Sequence, residues 1–268
     1  MKKLLLLLSV CLLMRVRPAP GQATSGRIAY EGMAKIEPGA RRIVINGEEV
    51  KPGSPEYPAD LPDTRSFELT FSYANPFGKE ERDNGGAVIM RRELGPGGTG
   101  APDAGPVQTT RVTPPLEEQV FLDLAGQKTI TILTVKTGET AKTYRAEAPV
   151  RRTSGWTETG QTRKISGLTC KKATVPHRGE TYTVYYTTDL PLTYSPLREL
   201  TPERGVVLQI ESGREAYKAT KVSAPAVAEK DVQPAANAQP VSAEQLADLR
   251  QKALADFHQR MFSGTERN

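Results

Sequence analysis

Residues 171–187 read Lys-Lys-Ala-Thr-Val-Pro-His-Arg-Gly-Glu-Thr-Tyr-Thr-Val-Tyr-Tyr-Thr, two alternating runs either side of a turn. Alternation of period two means extended strands, each with one apolar and one polar face. With Arg178-Gly179 as a two-residue loop inside His177-Arg178-Gly179-Glu180, Gly179 supplies the positive φ that such turns need. The register follows: Val175 faces Tyr182, Ala173 faces Val184 and Lys171 faces Tyr186. Lys172, Thr174, Thr183 and Tyr185 share the opposite face, the pattern of a sheet packed on one side and wet on the other. Lys171 breaks the apolar set. Its stem can lie along Tyr186 with the ammonium in water, or Gly167 can mark a bulge that shifts the register.

Working outward, the strand entering the hairpin begins near Arg163, downstream of Trp156. After it, Leu190-Pro191 and Ser195-Pro196 interrupt any ladder, because proline has no N–H to donate. Gly205 to Glu211 resumes a strand, and Tyr217 to Val222 closes the set after Ser212-Gly213. Upstream, Ile28, Tyr30, Gly32, Ala34 and Ile36 share one face of a strand, and Phe67, Leu69, Phe71 and Tyr73 share one face of another. Asn46-Gly47 is a hairpin signal, and strands are expected over 87–94, 119–124, 127–136 and 143–148. Residues 95–115, rich in glycine and proline, read as a flexible insertion. A phosphate-loop reading of its glycines fails, since no Lys-Ser or Lys-Thr ends it and no helix follows. Short turns between consecutive strands and no helical period before residue 222 predict a mainly β fold. The expected form is an antiparallel meander, curved or partly open, over residues 24–222.

Trp156, Lys164-Ile165-Ser166-Gly167, Cys170-Lys171-Lys172-Ala173, Tyr185-Tyr186-Thr187, Leu190-Pro191, Ser195-Pro196 and Gly205-Val206-Val207-Leu208 follow one another in an order and spacing that resembles the GLPGLI family of exported bacterial proteins. The resemblance covers residues 156–222, with Thr201 to Val207 standing at the family's signature loop. It implies a β-rich protein of the cell envelope, of undetermined function, similar to the open half-barrels of periplasmic lipoprotein carriers. It brings no catalytic residues with it.

Residues 1–23 have the form of a secretory signal: Lys2-Lys3, an apolar run from Leu4 to Met14, and small residues at Gly21 and Ala23. Cleavage is expected after Ala23, releasing a periplasmic or secreted chain. The apolar run is too short to span a bilayer. Removing Lys2, Lys3, Arg15 and Arg17 takes 36 basic residues to 32 against 31 acidic, a net charge of +1. That excludes the basic footprint a nucleic-acid binder needs. Cys11 leaves with the signal, so Cys170 has no partner for an intramolecular disulfide and is expected to be buried.

Residues 223–241, rich in alanine and proline, read as a linker before an amphipathic helix over 242–262. Ser242 with Gln245 forms a capping box, and Leu246, Leu249, Ala253, Phe257 and Met261 recur at helical spacing. Leu246, Leu249, Phe257 and Met261 are the candidate contact stripe, either docked on the sheet or offered to a partner.

Reactive constellations are missing from the sequence. The two histidines are His177, in a turn, and His258, on the helix, and neither belongs to a nucleophile elbow or a zinc motif. Cys170 and His177, seven residues apart on one strand, are separated by about 23 Å when extended. Glu80-Glu81 and Glu117-Glu118 read as surface pairs. No catalytic, cofactor-binding or metal-binding residues are therefore expected. The chain is expected to be non-enzymatic, binding an apolar ligand or lipid in its curved sheet, or an envelope protein through the helix.

Overall fold

The structure, a computed structural model, describes residues 25–36, 43–45, 48–51, 53–55, 57, 62–83, 87–91, 108–112 and 115–263. The expected signal and its cleavage site after Ala23, the Asn46-Gly47 turn, the end of the strand expected over 87–94, and residues 95–107 and 113–114 of the insertion lie outside them. Sixteen strands are described. The first half comprises β1 (Ser25–Lys35), β2 (Ile43–Ile45), β3 (Glu48–Val50), β4 (Thr64–Ala74), β5 (Phe77–Arg82), β6 (Ala87–Arg91), β7 (Gln108–Val112) and β8 (Leu116–Asp123). The second comprises β9 (Lys128–Thr137), β10 (Thr140–Pro149), β11 (Thr157–Ile165), β12 (Leu168–His177), β13 (Glu180–Thr187), β14 (Val206–Glu211), β15 (Glu215–Ser223) and β16 (Gln239–Pro240). Two helices are α1 (Glu229–Val232) and α2 (Ala243–Ser263). The protein is thus mainly β with a C-terminal helix, as expected.

Twelve strands form one open sheet in the order β11-β12-β13-β14-β15-β1-β4-β5-β8-β9-β10-β16. Every pairing in it is antiparallel except the two-residue parallel contact of β16 with β10. β1 lies between β4 and β15, so the first strand is seated mid-sheet, and the chain passes from β10 near one edge to β11 at the other. The sheet does not close, but it curls. Ser166 Oγ, at the turn between β11 and β12, donates to the Ala219 carbonyl on β15 at 2.9 Å. Two further hairpins stand apart, β2-β3 and β6-β7. The second is a correction: residues 108–112, expected inside a flexible insertion, form β7 and pair with β6.

The central hairpin has the register read from sequence, with Val175 opposite Tyr182, Ala173 opposite Val184 and Lys171 opposite Tyr186. Arg178 (φ 49°) and Gly179 (φ 78°) make the tight turn, both left-handed. Residues 163–175, expected as one strand, are two. Ser166 (φ 48°) and Gly167 (φ 85°) form a second such turn, so Gly167 marks a hairpin rather than a bulge. Lys171 keeps its register, and its ammonium reaches Glu158 Oε2 at 3.6 Å.

β1 and β4 bury the faces their alternation specifies. Ile28, Tyr30, Leu69, Phe71 and Tyr73 are each at most 2% exposed. Gly32 sits opposite Phe67, and a Cβ there would fall 2.2 Å from the Phe67 ring, so glycine makes room for the aromatic. The loop between β13 and β14 folds back over this face and contributes Leu192, Tyr194, Leu197 and Leu200, all buried. Tyr194 stacks on Phe71 at 3.7 Å between centroids and 4° between planes. The apolar face that sequence reading offered to a lipid is occupied by the chain's own loop.

Residues 224–241, expected as a linker, are seated on the sheet. Val232 of α1 is fully buried against β4 and β5. Ala238 packs with Phe121, Ile130 and Ile132. The segment crosses from β15 to the far edge, where β16 pairs with Tyr144 and Arg145 and the Val241 amide donates to the Arg145 carbonyl at 2.9 Å. α2 then lies against β9 and β10. Its capping box is formed: Gln245 N–H donates to Ser242 Oγ at 3.1 Å, and Ser242 N–H to Gln245 Oε1 at 2.9 Å. Leu246 is buried with Leu133 and Ala146, and Leu249 packs at the margin of that cluster.

Candidate functional site

The deepest polar centre lies where the β13-β14 loop meets the sheet. Glu80 stands on β5 directly opposite Phe71, so its alternation turns it inward among aromatics. Tyr194 donates its hydroxyl to Glu80 Oε1 at 3.1 Å, and Arg198 donates from an Nη to Oε2 at 2.8 Å. Tyr30 donates to the Val207 carbonyl at 2.8 Å. Burial, followed by the Glu80 charge, holds the hydroxyls of Tyr30 and Tyr194 well above the ordinary phenol range. Burial pulls the Arg198 guanidinium down, and Glu80 more than offsets it, so Arg198 is held protonated. Both carboxylate oxygens are engaged by the chain itself, and a buried charge is tolerated only when so paired. This centre clasps the loop to the sheet. Sequence reading placed Glu80 with Glu81 on the surface; Glu81 is there, 56% exposed on its ion pair with Lys79, but Glu80 is buried. The only local signal was parity, since Gly78, Glu80 and Arg82 share a face of β5.

Cys170 is fully buried, with Sγ 3.7 Å from the Leu168 carbonyl, and burial followed by the Asp189 charge pushes its thiol up to about 11. An ionised nucleophile is thereby disfavoured. Its side chain packs with Ile28, Tyr30 and Ile165, whereas His177 stacks edge-on against Tyr182 and hydrogen bonds Thr153 Oγ1 at 3.3 Å. The structure does not bring Cys170 and His177 together. On α2, Leu246 is buried and Leu249 and Phe257 are partly covered. The side chains of Met261 and His258 lie outside the described residues. Among the described residues no three His, Cys, Asp or Glu side chains are grouped to hold a metal ion.

Two features reach the surface. A shallow groove of about 600 Å³ runs over β15, β1 and β4, with Glu31 between Lys218 and Glu68 and with Met33, 48% exposed, beside them. The second is at the sheet's β11 edge, where Trp156, Glu158, Lys171 and Tyr186 converge. Trp156 meets Tyr186 edge to face at 5.8 Å and donates from Nε1 to the Thr153 carbonyl at 3.1 Å. Tyr186 donates its hydroxyl to Glu158 Oε1, and that bond, with Lys171 next, lowers the Glu158 pKa.

Residues 106–250, more than half of the chain and running from β7 well into α2, match the family described as N-glycanase peptide, N-terminal domain. The chain belongs to that family. Two solved structures, of PNGF-II in its P21 and C2 crystal forms, share the fold of this chain. Each is 15% identical, covers 85% of this chain, and has a TM-score of 0.50 for the first and 0.51 for the second. The chain spans about a third of their length, 34% and 33% respectively. A comparison with curated proteins yields no match.

The family match replaces the GLPGLI resemblance, since it includes all of residues 156–222 on which that rested. Many of the positions quoted for it are turn glycines, prolines and alternating strand residues, which antiparallel hairpins favour generally. With it falls the reading of the chain as a GLPGLI-type envelope protein binding an apolar ligand or lipid. Leu192, Tyr194, Leu197 and Leu200 fill the apolar face that such a ligand would need. Among the described residues no helix is long and apolar enough to cross a membrane.

Proposed function

We propose that this chain is a non-catalytic module of an N-glycan-processing system, one that binds N-glycosylated polypeptide and holds it for an N-glycanase. The observation that carries this reading is the family match to a domain named for an N-glycanase, on a chain spanning a third of PNGF-II. It agrees with the character of the interior, where Glu80 is closed off by Arg198 and Tyr194 and the Cys170 thiol is buried. Export through residues 1–23 brings the module to the glycoproteins it meets. The partner is then a glycoprotein, with no part for nucleic acid or an apolar ligand. The test uses the purified chain and a glycoprotein carrying N-linked chains, compared with the same protein enzymatically stripped of them. Biolayer interferometry should show binding to the glycosylated form alone, and mass spectrometry should show no released glycan. Equal binding to both forms, no binding, or glycan release overturns the reading.

A further inference from the structure

The cluster at the β11 edge has the composition of a sugar subsite. Trp156 is the chain's single tryptophan, and it is only half buried. Its indole N–H is fixed to Thr153 and its ring is braced against Tyr186, so little side-chain freedom remains to be lost on binding. Glu158, the second residue of β11, reaches the same tyrosine through the Tyr186 hydroxyl. One of its oxygens takes the Tyr186 hydroxyl and the other lies 3.6 Å from Lys171 Nζ, yet the Glu158 and Lys171 side chains are 55% and 56% exposed. An exposed ion pair contributes little to stability. What these contacts do is orient a carboxylate and an ammonium beside an immobile indole. Residues 157–164 of β11 are all exposed, so the Glu158 carboxylate and the Lys171 ammonium lie open to solvent, while Tyr186, 9% exposed, is held in the core and orients Glu158 from there.

A pyranose ring offers an apolar C–H face and a rim of hydroxyls that each donate and accept. Its recognition calls for an aromatic surface, a carboxylate to accept and a cation to donate. One carboxylate and one ammonium cancel in charge, which selects a neutral ligand over an anion. We propose that Trp156, Glu158, Lys171 and Tyr186 form a binding subsite for a neutral pyranose, with N-acetylglucosamine, whose acetamido methyl adds apolar contact, as the preferred ring. The proposal rests on the reading of the chain as a glycoprotein-binding module. The pKa shifts are compatible with it. Tyr186 is pushed up to about 12, by burial first and Glu158 second, and Glu158 is lowered, so at neutral pH the donor stays protonated and the acceptor ionised.

Trp156, being the sole tryptophan, is also the reporter. The full chain is titrated with N,N′-diacetylchitobiose while its indole emission is followed, and the affinity is checked by calorimetry. A saturable emission change is expected, and Glu158→Gln, at an exposed position that leaves the thermal midpoint unchanged, should weaken binding about tenfold through loss of a charge-assisted hydrogen bond. No saturable change, or wild-type affinity in Glu158→Gln, overturns the subsite. If that occurs while the chain still discriminates glycosylated from stripped glycoprotein, only the subsite fails; if that discrimination is absent too, the functional reading fails with it.

Discussion

Arg198→Ala tests whether the buried centre is a clasp. The Glu80 side chain is 5% exposed and that of Arg198 38% exposed. The two partners therefore respond differently to losing each other. Removing the guanidinium leaves a carboxylate enclosed by Phe71 and Tyr194 with one neutral donor, whereas removing the carboxylate leaves a guanidinium that can turn toward water. Breaking a buried pair from one side costs about 3–5 kcal/mol. Arg198→Ala should fall near the top of that range and Glu80→Ala near the bottom. Glu80→Gln keeps an acceptor for Tyr194 and loses only the charge-assisted part, about 1–2 kcal/mol. Urea unfolding followed by far-UV circular dichroism measures all three, read as midpoint changes at constant slope. A larger cost for Glu80→Ala than for Arg198→Ala, or costs for both below about 1 kcal/mol, refutes the clasp.

Cys170→Ser puts an unpaired hydroxyl into a packed site and should lower stability by about 1–3 kcal/mol. The thiol also sets a pH dependence. Its folded pKa of about 11 lies above the unfolded value, so the native state holds the proton more tightly. Its contribution is fully present below the unfolded pKa and is lost as pH rises through about 11, a decline in unfolding free energy that Cys170→Ala should flatten in alkaline titrations. Leu246→Ala should cost about 2–3 kcal/mol by opening a cavity against Leu133 and Ala146. Deleting residues 242–268 should lower the thermal midpoint and raise binding of an apolar dye; an unchanged midpoint would show that α2 contributes nothing to the sheet.

What the sequence by itself determined is local. The turn at Arg178-Gly179 settled the register of β12 with β13, because a two-residue loop leaves no slack and a one-residue slip would turn every side chain to the wrong face. The inward faces of β1 and β4 and the Ser242-Gln245 capping box were legible for the same reason: the interacting groups lie within a few residues of one another. In the candidate subsite, Trp156 reads from sequence only as the start of the strand run. Its partner Glu158 is not legible there, since the alternation runs on through Ser166-Gly167 and hides the turn that returns β12 beside β11. Only the tertiary structure seated β1 between β4 and β15, drew residues 224–241 across the sheet, and buried Glu80 beneath Tyr194, 114 residues away. Strand edges carry the same N–H and C=O groups whatever their order, and a glutamate is charged wherever it stands. Which edge is met and which charge is enclosed follow from long-range packing, where a stacked tyrosine and a paired arginine together make the buried carboxylate tolerable.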